Sequence, residues 1–100
     1  MMNKQQLLLI KLMEEAAEVV QAASKSIQFG FDDIIPGTDT TNRQRLNAEI
    51  TDFLAIIEML NEASVLNYVY DAEVVQRKKL KVEQYAQLSD ELGFVQWKHV

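Results

Sequence analysis

Between Asn3 and Gly30 the chain runs without a glycine or proline, and its apolar residues recur with a helical period. This stretch constrains the fold more than any other. Asn3 with Gln6 three residues on has the form of a capping box, and Gly30 suits a left-handed C-terminal cap. The spacing predicts one helix to about Phe29, a rod of about 39 Å at 1.5 Å per residue. A compact chain of 100 residues has a radius of gyration of only about 13 Å. So long a helix predicts an elongated bundle rather than a ball. Leu9, Leu12, Met13, Ala16, Val20, Ala23 and Ile27 share one broad side. Leu8 and Val19 widen it at one edge, and Ile10 and Ala17 at the other. The polar remainder is a narrow stripe of Lys11, Glu14, Glu15, Glu18 and Lys25. An apolar arc this wide exceeds what one neighbouring helix covers.

Gly30 to Thr41 is predicted to be a loop, with Pro36-Gly37 as its turn and Gly37 at positive φ. Asp32, Asp33 and Asp39 fit solvated loop residues or caps. A loop of this length serves either as a flap over a ligand or as a plain connection. Thr41 or Asn42 caps a second helix to about Glu62, with Thr41 and Gln44 in a capping-box arrangement. Its expected core side is Leu46, Ile50, Phe53, Ile57 and Leu60. Glu49 and Asp52 lie about 100° from that side, on a flank where unpaired charge is disfavoured. Val65 to Tyr70 is an apolar connector. Asp71 caps a third helix to about Leu92, closed by Gly93. Arg77, Lys78, Lys79 and Lys81 spread around this helix; Lys78 projects among Val74, Val75, Val82 and Tyr85 and either snorkels or reaches a phosphate. Phe94, Val95, Trp97 and His99 suit packing or a subunit contact, with base stacking by Trp97 as the sharper option.

Two acidic clusters stand on these helices: Glu14, Glu15 and Glu18 on the first, Glu49 and Asp52 on the second. Residues three and four apart share a helix face, and like charges at that spacing cost roughly 0.2–0.5 kcal/mol per pair. Two such patches brought together cost more unless a cation lies between them. A hard divalent ion suits carboxylate oxygens, and Mg²⁺ is commonly held by a few carboxylates and substrate phosphates. The plainer reading is an Arg45–Glu49 pair at i,i+4 with solvated acids around it.

Composition narrows the function. The chain has no cysteine, which excludes a disulfide framework, a thiolate nucleophile and a zinc–thiolate site. Its one histidine, His99, argues against a histidine-based triad. The net charge is -5, and without the five motif carboxylates acids and bases number ten each. An acidic chain without a basic face is a poor nucleic-acid binder. No Walker-type glycine-rich loop is present. No apolar run approaches the roughly 20 residues that span a bilayer, and no secretory signal opens the chain. A single soluble, cytoplasmic domain, 1–100, is expected.

The paired clusters resemble the MazG-like all-α nucleoside triphosphate pyrophosphohydrolases. The match runs through Leu12-Met13-Glu14-Glu15-Ala16-Ala17-Glu18-Val19, Ala23-Ser24-Lys25, Phe29-Gly30, Pro36-Gly37, Thr41-Asn42, Arg45 and Glu49-x-x-Asp52. It covers about residues 7–60 and looks like the short, phage-type branch. The resemblance implies a helical bundle completed by oligomerisation, as a homodimer or homotetramer. It implies hydrolysis of a nucleoside triphosphate to the monophosphate and pyrophosphate with Mg²⁺, or Mn²⁺ as a substitute. Glu15, Glu18, Glu49 and Asp52 match the metal ligands, and Glu14 the first motif glutamate. Lys25, Arg45 and Lys78 are candidate phosphate contacts, and Gln5, Gln6 and Asn42 candidate base contacts. Two alternatives stand beside it: a helical oligomeric interaction protein with structural acids, and a related phosphohydrolase acting on a non-standard substrate such as a phosphoribosyl nucleotide.

Overall fold

A computed structural model describes residues 1–98; His99, considered above with the C-terminal tail, lies outside the described residues. The fold is all-α. Three helices follow in order: α1 (Lys4–Phe29), α2 (Asn42–Glu62) and α3 (Ala72–Glu91). Each starts where a side chain satisfies the free N–H groups of a first turn. The Asn3 Oδ1 accepts from the Gln6 N–H at 2.8 Å, and the Gln6 Oε1 accepts from the Asn3 N–H at 3.0 Å. Thr41 and Gln44 repeat the reciprocal pair on α2 at 3.1 and 2.9 Å. Asp71 Oδ1 accepts from the Glu73 and Val74 N–H groups. Such caps contribute about 1 kcal/mol each.

The chain divides into two compact units, Met1–Tyr68 and the residues from Val69 on. In the first, α1 and α2 pack on each other as an antiparallel hairpin. Short bonds hold the end of α1 to the start of α2. The Asn42 Nδ2 donates to the Gly30 carbonyl at 2.9 Å, the Asn42 N–H to the Asp33 carbonyl at 3.1 Å, and the Arg43 N–H to the Phe31 carbonyl at 2.9 Å. The Arg43 guanidinium also lies 4.8 Å from the Phe31 ring centroid. The intervening segment has more order than a plain loop. Ile34 and Thr41 form an antiparallel bridge. Ile35-Pro36-Gly37-Thr38 closes a turn by a 3.0 Å bond from the Thr38 N–H to the Ile35 carbonyl, with Gly37 at φ 81. Gly30 takes positive φ as expected, but its ψ of 145 sends the chain off extended rather than through a left-handed cap. That departure feeds the bridge.

The covered faces differ from those expected. On α1 the buried or half-buried residues include Leu8, Leu12, Glu15, Val19, Ala22 and Ser26; on α2 they include Asn42, Leu46, Glu49, Phe53, Ile56 and Leu60. Both series alternate spacings of four and three, as in a coiled-coil seam. Leu60, with no exposure, is the centre of this core. Leu9, Met13, Val20 and Ile27, expected on the core side of α1, are exposed, as is Ile50 of α2. The reason is width: a single antiparallel partner covers one stripe, and the apolar arc of α1 extends beyond it.

At the end of α2, Ser64 holds φ 58, a left-handed conformation unusual without glycine. The Asn61 side chain fastens the connector that follows, donating to the Tyr68 carbonyl and accepting from its N–H, both at 2.9 Å. In the second unit, α3 has no buried residue among those described. Asp90 Oδ2 accepts from the Trp97 and Lys98 N–H groups and folds the tail onto the helix end. No helix of the described residues is long and apolar enough to cross a membrane.

Candidate metal centre

Glu15 and Glu49 occupy seam positions, where an antiparallel helix pair would ordinarily place leucine. Their carboxylates therefore meet inside the hairpin instead of pointing away from it. Asp52, three residues beyond Glu49, joins them from the exposed edge. One oxygen from each of the three lies within 4.8 Å of the others. Glu15 and Glu49 are half-buried and Asp52 exposed. The hairpin thus brings Glu15 to acids 34 and 37 positions away in the sequence.

The electrostatics follow from this crowding. The Glu15 carboxyl is held above the ordinary glutamate range, first by partial burial, then by the charges of Asp52, Glu49, Glu18 and Glu14. Arg45 offsets part of the negative charge: its Nε lies 3.8 Å from Glu49 Oε1, one turn away on α2. That is the i,i+4 pair expected from the sequence, and it sits beside the three carboxylates.

Glu18 is exposed and outside the close trio, though its charge reaches Glu15. Glu14 is exposed and pairs with the Lys11 Nζ at 3.1 Å, a surface contact of little energetic weight. Lys25 is half-buried and lines a groove with Glu18, Gln21 and Gln28. Lys78 belongs to the second unit, where it lines a cavity of about 480 Å³ with Lys79, Val82 and Trp97. Of the candidate base contacts, Gln6 is engaged in the α1 cap and Asn42 is buried at the hairpin corner.

Three carboxylates with no amine among them make a hard-oxygen donor set, suited to Mg²⁺, Mn²⁺ or Ca²⁺ rather than to softer ions. Mg–O bonds of about 2.1 Å place opposite ligands about 4.2 Å apart. An outer spacing of 4.8 Å closes to that with about 0.6 Å of side-chain movement.

Sequence reasoning missed a cavity of about 390 Å³ at the α1–α2 corner, lined by Lys25, Phe29, Asp33, Ile34, Ile35, Pro36 and Asn42. Its signal was indirect: Asn42, next to a cap, is a polar residue that the fold buries. Comparison with protein-family models, with curated proteins and with solved structures finds no match.

Proposed function

We propose that this chain is a divalent-cation-dependent nucleoside triphosphate pyrophosphohydrolase, with Mg²⁺ as the working ion. The observation that carries the reading is the meeting of Glu15, Glu49 and Asp52 across two helices. Nothing in helix packing calls for two glutamates on facing seams, and their mutual repulsion opposes the fold unless a cation offsets it. Glu15, Glu49 and Asp52 would hold the ion, with Glu18 as the fourth ligand that the motif resemblance supplies. When bound, Mg²⁺ neutralises charge on the phosphate oxygens. Arg45, already beside Glu49, and Lys25, further along α1, supply positive charge to the triphosphate. Glu14 would orient the attacking water or a ligand, and a carboxylate oxygen of the cluster left free by the ion would accept the water's proton.

The chain works as a homodimer or homotetramer on this reading. Support comes from apolar surface that the described residues leave uncovered: Met13, Val20 and Ile27 on α1, and Leu80, Tyr85 and Leu88 on α3. A helix with no buried residue gains little from its own propensity and needs packing to persist. The same surface favours a second reading, a non-catalytic helical interaction protein whose acids are structural.

The two readings separate in one comparison. The nucleotide reading predicts pyrophosphate from a nucleoside triphosphate with Mg²⁺ and none with EDTA, and predicts that Glu49→Gln abolishes release while the helical circular dichroism is unchanged. Unchanged turnover in Glu49→Gln would remove Glu49 from the mechanism; assembly without any metal-dependent turnover would favour the interaction protein.

A further inference from the structure

We propose that Arg45 is a resident counter-ion of the acidic centre. It offsets the charge of Glu49 while no cation is bound, yields to a divalent cation, and is then free to meet an anionic ligand. This rests on the cation-dependent reading above and adds an order to it, cation before anion. Among the described residues Arg45 is the one cation within ion-pair distance of Glu15, Glu49 or Asp52. It stands four residues before Glu49 on α2, a spacing that keeps both side chains on one face.

The pair is sheltered yet loose. The Arg45 and Glu49 side chains are 31% and 16% exposed, against 57% and 87% for Arg43 and Asp32 at the hairpin corner. Partial burial weakens screening by salt, so the charge of Arg45 is felt at the centre. The closest approach, Arg45 Nε to Glu49 Oε1, is 3.8 Å, longer than a hydrogen bond. The guanidinium carries five N–H donors, and at that distance none is committed to Glu49. No directional bond between the two therefore has to break when Glu49 turns to a cation.

Charge decides the exchange. Three carboxylates face one guanidinium, which leaves their repulsion only partly offset. A divalent cation brings twice the charge of Arg45 and takes carboxylate oxygens directly, where the guanidinium stands off at 3.8 Å. A guanidinium beside a cation-bound carboxylate loses most of its attraction, because the ion has already taken up that charge. Arg45 then faces a cation across Glu49 and turns to the next anion. Its planar fork of donors suits phosphate oxygens in particular.

The test is metal binding by the full chain without nucleotide. Mn²⁺, whose free fraction is read by electron paramagnetic resonance, is titrated into the parent, Arg45→Gln and Arg45→Lys, with circular dichroism as the check on folding. A unit charge a few ångströms away changes the affinity for a divalent ion about tenfold even at the dielectric of water. Arg45→Gln should therefore bind Mn²⁺ about tenfold more tightly, and Arg45→Lys, which keeps the charge, as the parent does. Mg²⁺ titrated into the parent should shift the Arg45 Nε–H signal in ¹H–¹⁵N NMR and leave Arg43 and Arg77, the other two arginines, in place; this measurement needs no variant. Equal or weaker binding by Arg45→Gln, the result for a residue that only orients Glu49, would overturn the proposal. So would an Arg45 signal that stays put while the ion binds. If none of the three proteins binds an ion, the cation reading falls and the proposal with it. Tighter binding by Arg45→Gln without pyrophosphate release by the parent would support the exchange and overturn the catalytic reading alone.

Discussion

Addition of a divalent cation should raise the melting temperature of this protein through the carboxylates on the two seams. The perturbation is Mg²⁺ at ten times its dissociation constant, against EDTA, at pH 7 and fixed protein concentration. One ion bound only by the folded state then contributes RT ln 11, about 1.4 kcal/mol. A chain of this size gains about 4–8 °C per kcal/mol, so the expected rise is about 6–11 °C. The structural origin is specific: three oxygens within 4.8 Å must draw in by about 0.6 Å, and the ion replaces their repulsion with attraction. Glu49→Gln removes one of the three charges and should reduce the rise to under about 2 °C. Differential scanning calorimetry measures both, with NaCl at matched ionic strength as the control for screening. An equal rise in NaCl, or a full rise in Glu49→Gln, would refute the idea that one ion joins the helices here.

Because the folded protein holds the Glu15 carboxyl above its unfolded value, that group's stabilising contribution is full below the unfolded pKa and is lost as pH rises through the raised folded value. Glu15→Gln should therefore melt higher than the parent at pH 7 in EDTA, with the difference shrinking as pH falls through the raised folded value and gone below about pH 4.3, the ordinary glutamate value; a gap that persisted at low pH would contradict the assignment. Leu60→Ala, at the fully buried seam position, should cost about 3 kcal/mol in urea unfolding. Asn61→Ala removes two bonds to the Tyr68 backbone and should cost about 1–2 kcal/mol and speed amide exchange over residues 63–68.

The sequence carried the helix ends with little loss, because the signals are local. Asn3 with Gln6, Thr41 with Gln44, and Asp71 are short-range caps whose partners lie within three residues. The turn at Pro36-Gly37 is local in the same way. What stayed hidden was which apolar residues face the partner helix. Met13 and Ile27 carry the same helical period as Leu12 and Ala16, and only the docking of α2 decides which stripe is covered. The candidate centre lies between these cases. The acids and their spacing were visible, and so was the Arg45–Glu49 pair. That Glu15 rather than Glu14 or Glu18 meets Glu49 and Asp52 depends on seam register. The corner cavity depends on Gly30 leaving α1 in an extended direction, which residue preferences alone do not specify.

Product identification from a panel of ribo- and deoxyribonucleoside triphosphates, each incubated with Mg²⁺ or with EDTA, decides whether this chain is a pyrophosphohydrolase. At least one member should give nucleoside monophosphate and pyrophosphate in equal amounts, only with Mg²⁺. No product from any member, or orthophosphate with nucleoside diphosphate in their place, would contradict it.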